Sequence, residues 1–328
     1  FCFITKRQIW NGFFLKRKDK RGSMELQTFE VGEPYDGERL DKFLATIYPS
    51  QSRTFFQKLI KEGQVTVNEH AEKSNFRLQP DDIVTVRIPP AVSVEILPED
   101  IPLDILYEDA DVLVVNKPKG MVVHPSVGHY SGTLVNAVLF HCKDSLSGIN
   151  GEIRPGIVHR IDKDTTGSLI VCKNDESHIK IAEQIKAHSV TRRYRGIVNG
   201  IVKDDEGTIT GAIGRHPTDR KKMAINEKNG KPAVTHYKVL ERLKKHTYME
   251  FELETGRTHQ IRVHMASIGH PLLGDTVYGG EKNAHGLQGQ TLHAMVLGFI
   301  HPRTGAYMEF EAPIPEYFSN LLLQFRKN

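Results

Sequence analysis

Cysteine is scarce in this chain: Cys2, Cys142 and Cys172 are the only three in 328 residues. Their spacing suits neither a zinc knuckle nor a disulfide framework, so a reducing, cytoplasmic setting is expected. No run of about 18 apolar residues occurs, and no membrane-spanning helix is therefore expected. A Gly-rich phosphate loop is missing, which counts against nucleotide-driven chemistry. Histidine is abundant at 16 but scattered, and His259 and His264, five apart, miss the i, i+4 geometry of a helical zinc pair. No cofactor and no metal is expected.

Positive charge is also scarcer than the net +4 implies. Residues 1–23 carry seven Lys or Arg against Asp19 alone, a local +6 that leaves −2 for residues 24–328. Any affinity for a polyanion must then come from cations clustered on one face. The first 23 residues also look foreign to the rest. Met24 opens a stretch that reads as ordered protein, and Lys20-Arg21-Gly22-Ser23 before it would be encoded by purine-rich codons, as a bacterial ribosome-binding site is. The expectation is that residues 1–23 are upstream sequence read in frame; a basic nucleic-acid-binding tail and a presequence are the competing readings.

What the chain does contain is concentrated in two segments. Gly156-Ile157-Val158-His159-Arg160-Ile161-Asp162-Lys163-Asp164-Thr165-Thr166-Gly167 places a carboxylate beside an arginine on a polar turn, and the apolar Ser168–Cys172 that follows reads as a buried strand. The plain alternative is a surface turn whose Asp and Thr side chains bond to nearby backbone. A calcium loop fails, because Thr166 and Lys173 stand where the fifth and twelfth ligands belong. The second segment, Leu253-Glu254-Thr255-Gly256-Arg257-Thr258-His259-Gln260-Ile261-Arg262-Val263-His264-Met265, is dense in hydrogen-bonding side chains.

With Asn116-Lys117-Pro118-Lys119-Gly120, these segments resemble the pseudouridine synthases that act on ribosomal and transfer RNA. The likeness is greatest to the branch typified by the large-subunit ribosomal RNA synthase D. It rests on an unbroken H-R-[LI]-D-x-x-[TS]-[TS]-G motif and an unbroken G-R-x-H-Q-[IL]-R motif, and it runs from about Arg39 to Pro313. It implies a long curved mixed sheet, largely antiparallel, with the cleft across its middle. It implies Asp162 as the catalytic aspartate, Tyr194 as the active-site tyrosine and Arg262 as the partner of Asp162.

The residues themselves support an α+β chain of two domains. In residues 24–90, Arg39–Ala45 and Ser52–Lys61 have helical apolar spacing, with Ser52 a credible N-cap and Gly63 near the helix end. Val65–Asn68 and Ile83–Ile88 read as short strands. This pattern resembles an S4 RNA-binding domain, with Arg39, Lys42, Arg53, Lys58 and Lys61 on the helices as RNA contacts; a solvated helix face is the simpler account of the same charges. Residues 91–102 read as a Pro-punctuated linker. In 103–328, strands are expected at Ile105–Asp109, Val112–Lys117, Ser168–Cys172, Tyr194–Val198, Thr235–Leu240, Thr247–Leu253 and Tyr307–Glu311. Helices are expected at Thr133–Phe140, Glu176–Ala187 and Gln260–Ile268.

The implied reaction breaks the N1–C1′ bond of a uridine, turns the uracil and joins C5 to C1′. A carboxylate can act covalently or assist proton loss. In an RNA-covered cleft it would tend to take up a proton, and a planar guanidinium opposes that. Arg160 is positioned to fill the space of an extruded nucleotide or hold its strand. His159 braces the loop, and Asp164, Thr165 and Thr166 fix it through bonds to backbone. Arg257 and His259 contact phosphates or buttress the Asp162–Arg262 pair. Arg215 to Lys222 is a basic cluster suited either to solvent or to phosphate. The expected partner is RNA, above all 23S ribosomal RNA or a pre-ribosomal particle, bound by a monomer. The competing functions are a synthase for other ribosomal or transfer RNA sites, a non-catalytic RNA-binding assembly factor, and a two-carboxylate glycoside hydrolase.

Overall fold

A computed structural model describes residues 9–10, 13–21, 24–49, 51–88, 96–125, 130–143, 145–149, 155–219, 222–279 and 284–327. The chain divides into two units, Phe1–Ser93 and Val94–Asn328.

The first unit packs two helices on a five-stranded antiparallel sheet. Its strands are β1 (Ile9–Trp10), β2 (Phe13–Arg21), β3 (Met24–Val31), β4 (Val65–Val67) and β5 (Ile83–Ile88), in the order β1-β2-β3-β5-β4. Strand β2 lies in the segment that the sequence set apart, and its backbone pairs with β3. Helices α1 (Leu40–Ile47) and α2 (Arg53–Lys61) bury Phe43, Leu44, Phe56 and Leu59 against Val84 and Val86. The Ser52 side chain accepts the Phe55 N–H at 3.2 Å, satisfying a donor at the start of α2. Gly63, at φ +70, takes the left-handed turn after that helix.

The second unit is built on a nine-stranded mixed sheet. Its strands are β6 (Ile105–Glu108), β7 (Val112–Lys117), β8 (Thr166–Cys172), β9 (Thr191–Asn199), β10 (Glu206–Thr210), β13 (Val234–Arg242), β14 (His246–Leu253), β15 (Leu292–Ile300) and β16 (Tyr307–Glu311). The order is β10-β13-β14-β9-β15-β8-β7-β6, with β16 on the free part of β15. Strands β11 (Ile213–Arg215) and β12 (Met223–Ile225) make a separate hairpin. It carries part of the expected basic cluster, of which Arg220 and Lys221 lie outside the described residues. Residues 96–102, expected as linker, hold no helix or strand. They are tied to the second unit through buried Ile96 and the Glu99 N–H bond to the Asn136 carbonyl.

Alternation along β7 explains why its sequence is continuously apolar. Leu113 and Val115 face one core with helix α3 (Leu134–Cys142), while Val112 and Val114 face another with α4 (Asp175–Lys186). A strand covered on both faces has no polar side to show. Thr133 and Asn136 form a reciprocal capping box at α3. Strands β10 and β15 and the last helix, α6 (Glu316–Lys327), were not expected. Helix α6 buries Phe318, Leu321, Leu322 and Phe325, an i, i+3, i+4, i+7 stripe that was there to be read.

One joint in the sheet matters most for the site. Strands β15 and β8 pair in parallel, His293 opposite Thr166 and Ala294 opposite Gly167. Gly167 sits at φ +111, and a Cβ there would overlap the Ala294 backbone. Only glycine allows β8 to start this close to β15.

Candidate active site

The Asp162 loop enters β8 under restraint from both sides. Lys117, 1% exposed at the end of β7, donates through Nζ to the carbonyls of Pro118 (2.8 Å), Met121 (2.9 Å) and Lys163 (3.1 Å). The Gly120 N–H reaches the same Lys163 carbonyl at 2.9 Å. Thr165 and Thr166 differ from expectation: their hydroxyls meet side chains, not backbone. Gln290 Nε2 donates to Thr165 Oγ1 at 3.0 Å, and Thr166 Oγ1 pairs with His293 Nδ1 at 2.8 Å. Residues from β15 and the segment before it had already filled the positions that a local turn would use.

Across from the loop stands α5 (Gln260–Ser267), anchored by Gln260. Its amide donates to the Val234 carbonyl and Thr235 Oγ1, and its oxygen accepts from Arg257 N–H and Thr255 Oγ1. Ile261 and Met265 go into the core, which turns Arg262 toward Asp162. Arg262 Nη1 donates to Asp162 Oδ2 at 2.9 Å. Its other edge is held by Asp275, Nε to Oδ2 at 2.7 Å and Nη2 to Oδ1 at 3.0 Å. Asp275 also accepts the Val277 and Tyr278 N–H groups, and the Tyr278 ring lies 5.1 Å from the guanidinium carbon. Burial opposes charge on both Arg262 and Asp275. Their mutual bonds win: the Arg262 pKa moves up and the Asp275 pKa moves down.

Asp275 was missed by sequence reasoning. It stands 13 residues beyond Arg262, and no periodic pattern spans the intervening loop. The available signal was the Gly274-Asp275 pair, shortly after the second motif.

His259 caps α5 in the left-handed region, at φ +57. Its Nδ1 shares a hydrogen bond of 2.9 Å with the Tyr278 hydroxyl, and its Nε2 is 3.8 Å from Asp162 Oδ1. Burial pushes its pKa down, which favours the neutral ring beside Asp162. Tyr194 is 8% exposed on β9 and lines the same cavity. Its hydroxyl has no hydrogen-bond partner among the described residues, and burial raises its pKa. His159 Nε2 accepts the Ile170 N–H at 3.1 Å, which makes it a neutral brace as expected.

The cavity holds about 590 Å³. Arg160, exposed, and Arg257, whose Nε donates to the Pro232 carbonyl, stand at its wall with Asp162. So do Lys186, at the end of α4, and Arg192 on β9, which sequence reasoning passed over. Asp162 is the single acid among the described residues lining this cavity.

The expected RNA contacts of the first unit divide into two kinds. Arg39 caps α1 instead of lying on it. Arg39 and Arg53 both bind the fully buried Asp41, Arg39 Nη2 and Arg53 Nε each at 3.0 Å, with Gln57 at 2.7 Å. Lys42 and Lys58 make exposed i, i+4 pairs with Glu38 and Glu62. Lys61 is exposed and has no ion pair among the described residues.

A possible metal cluster, Asp109, Asp111 and His301, is taken up by its own side-chain bonds. Arg303 holds Asp111 at 2.6 and 2.8 Å, and His301 and Tyr107 bond Asp109 at 2.8 and 2.9 Å.

Comparison with known proteins accords with this geometry. Residues 111–267 match the family described as RNA pseudouridylate synthase, and residues 38–84 match the S4 domain. A Bacillus subtilis (strain 168) protein named "Uncharacterized RNA pseudouridine synthase YlyB" is 55% identical over 298 residues, 91% of this chain and 97% of that protein. The "Ribosomal large subunit pseudouridine synthase D" of Zymomonas mobilis is 47% identical over 303 residues, 89% and 95% of the two chains. Among solved structures, "Human RNA Pseudouridylate Synthase Domain Containing 1" superposes with a TM-score of 0.53 at 26% identity, covering 74% of this chain and 98% of that one.

Proposed function

Since this chain belongs to the RNA pseudouridine synthases, we propose that it converts uridine to pseudouridine in large-subunit ribosomal RNA, with Asp162 as the acting carboxylate. The observation that carries this reading is the 2.9 Å bond from Arg262 to Asp162 at the wall of a cavity that also holds Tyr194. A uridine must leave its stack to reach that cavity, at a cost of a few kcal/mol. The exposed Arg160 is suited to occupy the vacated space, and Lys186 and Arg257 to hold the flanking phosphates.

Within the cavity, the Asp162 carboxylate attacks C1′ or C6 of the captive nucleotide while Arg262 stabilises its charge. Tyr194 stacks on the ring, and its unpartnered hydroxyl is free to help remove the C5 proton. The S4 domain adds affinity through Lys42, Lys58 and Lys61, with Arg39 and Arg53 shaping that surface through Asp41. The preferred substrate follows the name of the Zymomonas relative. The setting is cytoplasmic and the acting species a monomer.

Tritium release from uridine-5-labelled ribosomal RNA tests the reading. Wild type should release label, and Asp162→Asn and Asp162→Ala should not. A wild-type protein that binds the RNA and releases nothing would make it an assembly factor. Mapping modified positions in RNA from cells with and without the gene identifies the substrate; loss confined to transfer RNA would overturn the ribosomal assignment.

A further inference from the structure

Arg192 and Tyr194 lie two residues apart on β9, so the pleat directs both side chains to the same face of the sheet. Both line the cavity that contains Asp162. Arg192 is 7% exposed, yet it has no carboxylate partner among the described residues. Its Nη2 donates to the carbonyls of Glu254 (3.0 Å) and Leu253 (3.4 Å) at the end of β14. Its Nε is buried, and no acceptor bonds Nε or Nη1 among the described residues. A buried guanidinium with unused donors is costly unless something arrives to accept them.

The surrounding sequence keeps that side of the guanidinium open. Gly256, the first residue of the Gly-Arg-Thr-His-Gln-Ile-Arg segment, also lines the cavity. A Cβ on it would come within 2.7 Å of Arg192 Nη1. Gly256 does not take a positive φ, and what a side chain there would meet is the guanidinium end of Arg192. His159 cannot serve as a rival cation, because its ring accepts a backbone N–H and burial holds it neutral.

We propose that Arg192 donates from Nη1 to a carbonyl oxygen of the captive uracil and stabilises the negative charge that the ring carries during isomerisation. This rests on the cavity around Asp162 being the uracil site. When the N1–C1′ bond breaks, its electron pair stays on uracil and is spread over O2 and O4. The pair that later forms C5–C1′ comes from the ring, C5 loses its proton, and N1 ends protonated. If the carboxylate adds first at C6, O4 carries the resulting enolate charge. On either route, a preorganised buried cation lowers the barrier to the charged species more than it tightens the neutral ground state. A phosphate contact is less suited to the buried Arg192 than to Arg160 and Lys186, which line the same cavity and are exposed.

The test uses the full-length protein and single-turnover tritium release, with RNA affinity measured in parallel. Arg192→Met should slow release about 100-fold, as the loss of one transition-state donor does, with Kd within about threefold. Arg192→Lys should recover part of the rate. A substrate carrying 5-fluorouridine, whose ring bears negative charge more easily, should show a smaller deficit when its consumption is followed. Gly256→Ala keeps the charge but crowds Nη1, and it should also slow release at unchanged affinity; it stands in if Arg192→Met does not fold. The proposal falls if Arg192→Met keeps the wild-type rate, loses affinity instead of rate, or shows equal deficits on both substrates. Asp162→Asn in the same assay separates the two ideas: full activity there would sink the site assignment, while its loss with an active Arg192→Met sinks this proposal alone.

Discussion

Asp275 grips one edge of the Arg262 guanidinium, Nε at 2.7 Å and Nη2 at 3.0 Å, and leaves Nη1 as the donor to Asp162 at 2.9 Å. The orientation of the guanidinium is therefore set by a residue outside both motifs. Asp275→Asn should lower the single-turnover rate roughly 10- to 100-fold, the equivalent of about 1.5–3 kcal/mol for a charged hydrogen bond. Asp275→Ala should in addition destabilise the second unit by about 3–5 kcal/mol, because it leaves a buried arginine half-paired. Tritium release and chemical denaturation read the two effects separately.

Gly167→Ala should be among the most damaging single-methyl changes in the chain. It places a side chain at φ +111 against the Ala294 backbone, where β8 meets β15. A loss above about 2 kcal/mol is expected from strain and overpacking together. A variant with wild-type unfolding behaviour would show that this junction has slack.

Burial pushes the Lys117 pKa down to about 7 from its ordinary 10.5. Between those values the unfolded chain binds the proton that the folded chain has lost. Stability linked to Lys117 is therefore fully present above about pH 10.5 and is lost as pH falls toward 7, with a limiting slope of about 1.4 kcal/mol per pH unit. Lys117→Met should remove this slope, and it should also loosen the Asp162 loop by breaking the tie to the Lys163 carbonyl. Denaturation of both proteins at pH 7 and pH 9.5 measures the difference.

In the first unit, Lys61 and Asp41 should behave oppositely. Lys61→Ala should weaken RNA binding evenly across sequences and reduce the salt slope by about one. Asp41→Ala should instead lower hydrogen-exchange protection of α1 and α2 amides by about tenfold or more, because Arg39, Arg53 and Gln57 lose their shared acceptor. Equal effects of the two changes on RNA affinity would contradict this division.

The elements with strong local signals were legible in the sequence. Ser52 announces α2 through a side chain that caps within three residues, and the apolar run after Gly167 declares β8. Asp162 and Arg262 were legible because their motifs are contiguous. Strand β15 was not, although it is the partner that brings Gly167 and the Asp162 loop into register. Asp275 and Arg192 were not either, since a guanidinium's partner, or the absence of one, is defined by packing between strands far apart in the chain.

The sequence by itself determined the two-domain α+β plan, the family, and which carboxylate and arginine stand in the motifs, because capping, periodicity and short motifs act over a few residues. The tertiary structure alone decided what those groups face. It turned Arg262 through Asp275, set Thr165 and Thr166 on side chains from β15 and the segment before it, tied Arg39 and Arg53 to Asp41, and left Arg192 buried beside Tyr194 without a counter-charge among the described residues. Those outcomes depend on long-range strand pairing and desolvation, which no local pattern encodes.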